Sequence, residues 1–283
     1  MTQNLQTFDI YTKDNRIEYS LEEYTPKKLK ISKKNIKTLI SNFSDKIKIK
    51  PAMSEEYIWD EGWYLINPRQ YVGRISLPDI VLHLNPKVHI SNLFYMISYV
   101  YDLDLFREEI VYYEESSESD IFEFLVRFFN KTVTELIKRG KLKYYREIEE
   151  NTRRPRGKIL IYEHVKENII RSKSYIFCSH DEYTADIIEN QIIKYVLYIL
   201  STYSYKDKSL HDDIVENYYR LEDISLNIIT NFPIIRYTER NRYYEPIHNL
   251  CRMFLDNIYI SEISGYSEFL SFLIDMNKLF ETF

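Results

Sequence analysis

The chain has 283 residues, enough for two compact domains or one large one, and its 45% hydrophobic and 29% charged content is that of a soluble globular protein. A net charge of −5 excludes a global basic field as the sole driver of nucleic-acid binding. Two cysteines, Cys178 and Cys251, give no disulfide framework. The opening MTQNLQTFDIYTKDN lacks a signal peptide's basic and apolar regions, and no apolar run has membrane-spanning length, so a reduced, cytoplasmic protein without a membrane partner is expected.

Residues 1–89 read as a strand-rich domain. Segments 7–11, 16–20, 57–66, 71–76 and 80–85 mix aromatic and β-branched residues with alternating polar ones. One helix interrupts them, with Ser32 as N-cap ahead of Ile36, Leu39 and Ile40, and Pro68, Pro78 and Pro86 place turns between the later strands. From about Ile90 the period becomes helical, which puts a domain boundary at Pro86–Ile90 and a second domain over 90–283. A short helix covers 91–101, capped by Ser91 or Asn92. A longer one covers 119–139, with Ile121, Leu125, Phe128, Thr132 and Leu136 on one stripe and Gly140 as its stop. Strands 142–148 and 158–162 flank the loop 149–157, and 174–178 reads as a third strand. Helices are expected over 184–204, 208–220, 240–259 and 267–282. In the last, Phe269, Leu273, Met276 and Phe280 form an apolar stripe whose exposure would favour self-association. The fold class is therefore α+β: a strand-rich first domain and a mainly helical second one with a small embedded sheet.

Charge is segregated along this plan. Residues 27–50 hold nine Lys against the single acid Asp45, residues 102–123 hold nine acids against Arg107, and residues 138–158 hold nine bases against three acids. Each block reads by default as a solvated face. Two of them also suggest binding. Arg153, Arg154, Arg156 and Lys158 crowd a loop stiffened by Pro155 and turned by Gly157, which suits phosphate or acidic protein surfaces. Lys28, Lys30, Lys33 and Lys34 lead the first block and offer point charges for salt-dependent nucleic-acid attraction. Arg242, flanked by aromatics, can stack or hold a carboxylate, while Asp186 and Asn190, four apart on an expected helix face, suit structural hydrogen bonding.

Several chemistries are missing from the sequence. No G-x-x-x-x-G-K-[ST] is present, and five scattered glycines offer no substitute phosphate loop. His and Cys never reach zinc-ligand spacing, Cys178-Ser179-His180 being the nearest approach. None of the 43 acids has a Lys two positions later, so the D/E-x-K tripeptide of the commonest metal-dependent restriction nucleases is absent. No catalytic or metal-binding residue and no cofactor is assigned to the chain.

Several segments, in order, resemble the McrC family. Tyr71-Val72-Gly73-Arg74-Ile75 and Leu84-Asn85-Pro86-Lys87-Val88 resemble its "VGxI…PKV" pattern, and Asn92–Tyr99 the "YYML" helix that follows. Leu136–Gly140 with Arg156-Gly157-Lys158-Ile159 resembles its "RRG…RGRI" pair. Asp186–Lys194 resembles "D-x-x-x-N-x-IIK", Asn241–Tyr244 "NRYY", and Asp275–Glu281 "DMNKLFE". Each motif is short; their order over residues 71–281 carries the resemblance.

The resemblance implies a subunit that docks on a McrB-type AAA+ GTPase hexamer, stimulates it and takes part in restriction of methylcytosine-type DNA. GTP and Mg would sit on the partner, and DNA would be met through the complex. It points Arg153, Arg154, Arg156, Lys158 and Arg242 at the partner. In that family a nuclease domain follows the "DMNKLFE" helix, whereas this sequence reaches Phe283 just after it, so a separate nuclease polypeptide is a further expected partner. The rival readings are a stand-alone nucleic-acid-binding module and an inactive remnant of an endonuclease subunit.

Overall fold

The computed structural model describes residues 16–53, 59–103, 121–203, 205, 207–263 and 267–283. The expected strand 7–11 and acidic residues 104–120 lie outside that set.

A five-stranded sheet forms the middle layer, in the order β1 (Ile17–Glu22), β6 (Ile80–Asn85), β5 (Tyr71–Ser76), β11 (Ser267–Asp275), β10 (Ile258–Ile263). β1 runs parallel to β6, and the other neighbours are antiparallel. On one face lie a smaller antiparallel sheet, β2 (Lys27–Lys30), β4 (Trp59–Pro68) and β3 (Ile47–Met53), and helix α1 (Lys33–Phe43). Leu29, Ile36, Leu39, Phe43 and Ile66 from these elements join Ile75, Leu82, Leu84 and Leu273 of the middle sheet in one buried cluster. On the other face lie α2 (Ile90–Val100), α3 (Ile121–Arg139), α5 (Ile188–Ser201), α6 (Lys208–Tyr219) and α7 (Glu245–Asn257). There Phe122, Phe129, Val196, Leu197 and Phe254 bury Val72, Leu270, Phe272 and Ile274. The fold is α+β.

The register explains the Val72-Gly73-Arg74 motif. Gly73 pairs with Leu273 of β11 at φ +134°, and a Cβ there would lie 2.1 Å from the Phe272 carbonyl oxygen, so only glycine lets the strands meet. Arg74 turns the other way, into the helical layer, where it reaches buried Glu123 at 3.7 Å and lies 4.8 Å from the Tyr203 ring centroid. Glu123, the last acid of the acidic stretch, is thus a buried partner, not a solvated charge.

Several local expectations hold. Ser32 caps α1, its hydroxyl accepting from the Asn35 N–H at 3.3 Å. Gly140 ends α3 at φ +107°, donating its N–H to the Leu136 carbonyl. Others are corrected. α2 starts at Ile90 behind His89, without the expected side-chain cap from Ser91 or Asn92. β2 and β3 are strands within the lysine-rich stretch. The 240–259 segment is a 3-10 turn at Arg242–Tyr244, then α7, and β10 begins at Ile258.

The largest correction concerns 267–282, read as one helix. Residues 267–275 are β11, and only Met276–Thr282 is helical, as α8. β11 is covered on both faces, with Phe272 and Ile274 toward the helices and Leu273 toward the small sheet. Such a strand reads as an unbroken apolar run, which periodicity cannot separate from a buried helix. Leu273 and Met276 are buried and Phe280 is 53% exposed, so these three do not form one bare stripe. The hairpin β10–β11 also joins β5, so the middle sheet contains strands from both sides of residue 90.

Candidate partner-docking site

The basic loop belongs to an arm. β7 (Tyr144–Thr152) and β9 (Ile176–Thr184) pair antiparallel along their whole length, from Tyr144↔Thr184 to Thr152↔Ile176. At about 3.3 Å per residue this ladder spans roughly 26 Å. β8 (Lys158–Ile159) adds two residues to the other edge of β9. The chain then forms α4 (Ile161–His164), continues as a π-helical turn over Val165–Ile169 and returns to β9. The expected strands 142–148, 158–162 and 174–178 are therefore shifted, and Ile161–Tyr162 are helical.

The arm has little core. Between residues 147 and 181 the buried side chains are Asn168, Cys178 and Ser179, and none belongs to either hydrophobic cluster. Polar ties hold it together. Asn168 and Asn151 exchange amide hydrogen bonds at 2.8 and 2.9 Å, with His164 Nδ1 3.1 Å from the Asn168 amide nitrogen, fastening the helical turn to β7. The Ser179 hydroxyl donates to Glu147 at 2.5 Å. Outside these ties the arm presents Ile159, Ile161, Tyr162, Ile169 and Ile170 to solvent, Tyr162 and Ile170 each at 74% exposure. In the sequence, Ile159, Ile161 and Tyr162 fall in an expected strand and Ile169 and Ile170 in no expected element.

The basic turn sits at the far end of the ladder. Arg153, Arg154, Arg156 and Lys158 are all exposed, as expected, and Arg153 lies 5.3 Å from the Tyr175 ring centroid. The turn is shorter than the expected loop, because β7 runs on to Thr152. Gly157 adopts φ +66°, and a Cβ there would come within 2.3 Å of the Ser179 carbonyl oxygen, so the Arg-Gly pair is needed where the return leg crosses β9.

The root is rigid. Tyr244, fully buried, accepts from the Leu142 N–H at 2.8 Å and donates to Asn190 Oδ1 at 2.6 Å. Asn190 Nδ2 donates to the carbonyls of Leu142 (2.9 Å) and Ala185 (2.8 Å). The residues just before β7 and just after β9 are thereby clamped by one side chain. Asp186 does not share a partner with Asn190: it accepts from Gln191 and from the Ser225 backbone and hydroxyl, with Arg146 at 3.9 Å. Both residues are structural, and Asp186 precedes α5 instead of lying on it. Lys194 is buried and donates to the Leu221 and Ile224 carbonyls, and burial lowers its pKa.

The structure separates the remaining candidates. Arg242 is exposed at the root, beside the stacks of Arg139 on Tyr243 (4.2 Å) and Arg240 on Tyr144 (4.9 Å), at the opposite end of β7 from the basic turn. Lys28, Lys30, Lys33 and Lys34 are exposed in the small sheet and α1.

Residues 66–283 match the family model described as "McrBC 5-methylcytosine restriction system component". The chain belongs to that family. Among solved structures it resembles a chain of the cryo-EM structure of the Thermococcus gammatolerans McrBC complex, at 18% identity and a TM-score of 0.62, covering 94% of this chain and 85% of that one. A refined half-complex from the tetradecameric assembly of Thermococcus gammatolerans McrB AAA+ hexamers with bound McrC matches equally well, at 18% identity and 0.62, covering 94% of this chain and 68% of that one. These likenesses establish a shared fold. No curated protein sequence matches. Among the described residues no helix is long and apolar enough to cross a membrane.

Proposed function

We propose that this McrBC-family chain is a McrC-like subunit that docks on a McrB-type AAA+ GTPase through the β7–β9 arm and stimulates GTP hydrolysis there. The observation that carries the proposal is the division of the arm: a root clamped by Asn190 and Tyr244, and a tip of four exposed cations with almost no core. A cluster of exposed cations held at the end of a long ladder, outside both hydrophobic clusters, is suited to a partner's surface. Arg154 and Arg156 can each offer bidentate hydrogen bonds to carboxylates or carbonyls. The exposed Ile161, Tyr162, Ile169 and Ile170 supply apolar area beside them. GTP and Mg belong to the partner, DNA is met through the complex, and the likeness to a chain from a complex of McrB hexamers with McrC supports that choice of partner.

Replacing Arg154 and Arg156 with Ala tests the proposal. Exposed substitutions shift stability by about 0.5 kcal/mol or less. Charge-assisted hydrogen bonds contribute roughly 1.5–3 kcal/mol each, so loss of one weakens docking about tenfold or more. The expected result is an unchanged melting temperature with reduced stimulation of the cognate GTPase; full stimulation by the double variant would overturn the arm's role.

A further inference from the structure

The outer face of the β2–β4–β3 sheet is a second charged surface, remote in sequence from the arm. Its composition follows from the register. Lys28 and Lys50 both pair with Leu65, Lys30 with Trp63, and Lys48 with Asn67, so these seven side chains share one face. The opposite face is buried: Leu29, Ile47, Tyr64 and Ile66 pack with Ile36, Leu39 and Phe43 of α1. Lys28, Lys30, Lys48 and Lys50 are exposed, Trp63 is 37% exposed, and none of the seven positions is acidic. Lys33 and Lys34 lie on α1, outside this set of positions. The lysines stand about 7 Å apart along a strand and roughly 10 Å apart across the two strand spacings.

We infer that this sheet face binds the backbone of single-stranded nucleic acid, with Trp63 stacking on a base. Four exposed lysines and an exposed indole on one face, in a chain of net charge −5, mark a local site for polyanions. The exposed indole selects among polyanions. A duplex keeps its bases stacked and offers nothing to an aromatic ring on a flat sheet, whereas an unpaired base stacks on it readily. The Lys28 ammonium lies 5.3 Å from the Trp63 ring centroid. A base taking that ring face would displace the ammonium toward the adjoining phosphate, so stacking and charge act together. Lysine in place of arginine makes the contact a point charge, and the binding is accordingly sequence-independent.

The test is fluorescence anisotropy of the full chain with a labelled oligothymidylate of about 16 nucleotides, its duplex, and phosphatidylserine vesicles as competitor. The expected result is salt-sensitive binding of the single strand in preference to the duplex. Each neutralised phosphate contributes about 0.7 to the salt slope, so Lys28→Gln with Lys50→Gln should make it shallower by about 1.4. Trp63→Ala should weaken binding roughly five- to 150-fold. Arg154→Ala with Arg156→Ala should leave it unchanged, and the lysine pair should leave GTPase stimulation unchanged, which separates this site from the arm. An unchanged slope in the lysine variant, equal binding of the duplex, or full competition by vesicles would overturn the inference.

Discussion

Asn190 sends both hydrogens of one amide to carbonyls 43 residues apart in sequence, Leu142 and Ala185, and takes the Tyr244 hydroxyl on its oxygen. Each of these groups is buried, so removing one leaves the others without compensation, at about 1–3 kcal/mol apiece. His248 shows the same economy next door. Fully buried, it donates from Nε2 to the Glu189 carbonyl at 3.0 Å, and in the neutral ring Nδ1 accepts from the Tyr237 hydroxyl at 2.9 Å. Burial is the main cause that lowers its pKa from 6.5 to about 4, and burial pushes Tyr237 up to about 12. Because the folded pKa lies below the unfolded one, the unfolded chain binds the extra proton between pH 6.5 and about 4. Stability is therefore unaffected by this group above pH 6.5 and falls through that window, by roughly 3 kcal/mol at its lower end. His248→Gln should flatten the loss of melting temperature between these pH values relative to the wild type, whose carboxylates are common to both. Identical pH profiles would show that the ring titrates without cost.

Gly157 belongs to the scale of the element, since it decides whether β8 can lie along β9. A side chain there meets both a positive φ and the Ser179 carbonyl at 2.3 Å, so Gly157→Ala should cost the arm about 1–3 kcal/mol. The arm lies outside both clusters, so the loss should appear as faster amide hydrogen exchange at Ile159 and Cys178 while protection in α3 and α5 stays. Exchange that is faster everywhere would show the arm to be coupled to the core. The sequence made some elements legible and hid others for physical reasons. α3 shows its helical period because Arg127, Lys131, Glu135 and Lys138 keep one side in solvent, and Ser32 and Gly140 punctuate helix ends with their own chemistry. β3 alternates Ile47, Lys48, Ile49, Lys50, but four lysines within one small sheet made the stretch read as charge before pattern. β11 has no alternation to read, because both its faces are covered. The basic turn was legible from composition alone; that it stands at the end of a long ladder was not, since pairing partners 24 to 40 positions apart leave no local trace.

At the scale of the molecule, two hydrophobic clusters sandwich the middle sheet, and among the described residues the stretches Leu142–Tyr144 and Thr184–Asp186 tie the arm to this body. That arrangement predicts that the arm can be removed. Arg146 and Glu182 are opposite one another in the ladder, so residues 147–181 can be replaced by a two-residue Asn-Gly turn that closes a hairpin at the root. The clamp on Leu142 and Ala185 through Asn190 and Tyr244 is kept. What is lost is the Asn168–Asn151 pair, the Ser179–Glu147 bond, the buried Cys178 and half-buried side chains, none of them in either cluster. A net change of about 1 kcal/mol would move the melting temperature by only about 2–4 °C in a chain of this size. The shortened protein should therefore melt cooperatively near the wild-type temperature, bind oligothymidylate through its unaltered lysine face, and fail to stimulate the GTPase. Stimulation that survives the deletion would place docking elsewhere. A collapsed melting temperature would instead make the arm part of the fold, despite its exposed residues Ile161, Tyr162 and Ile170, and those side chains would then need a partner within the chain itself.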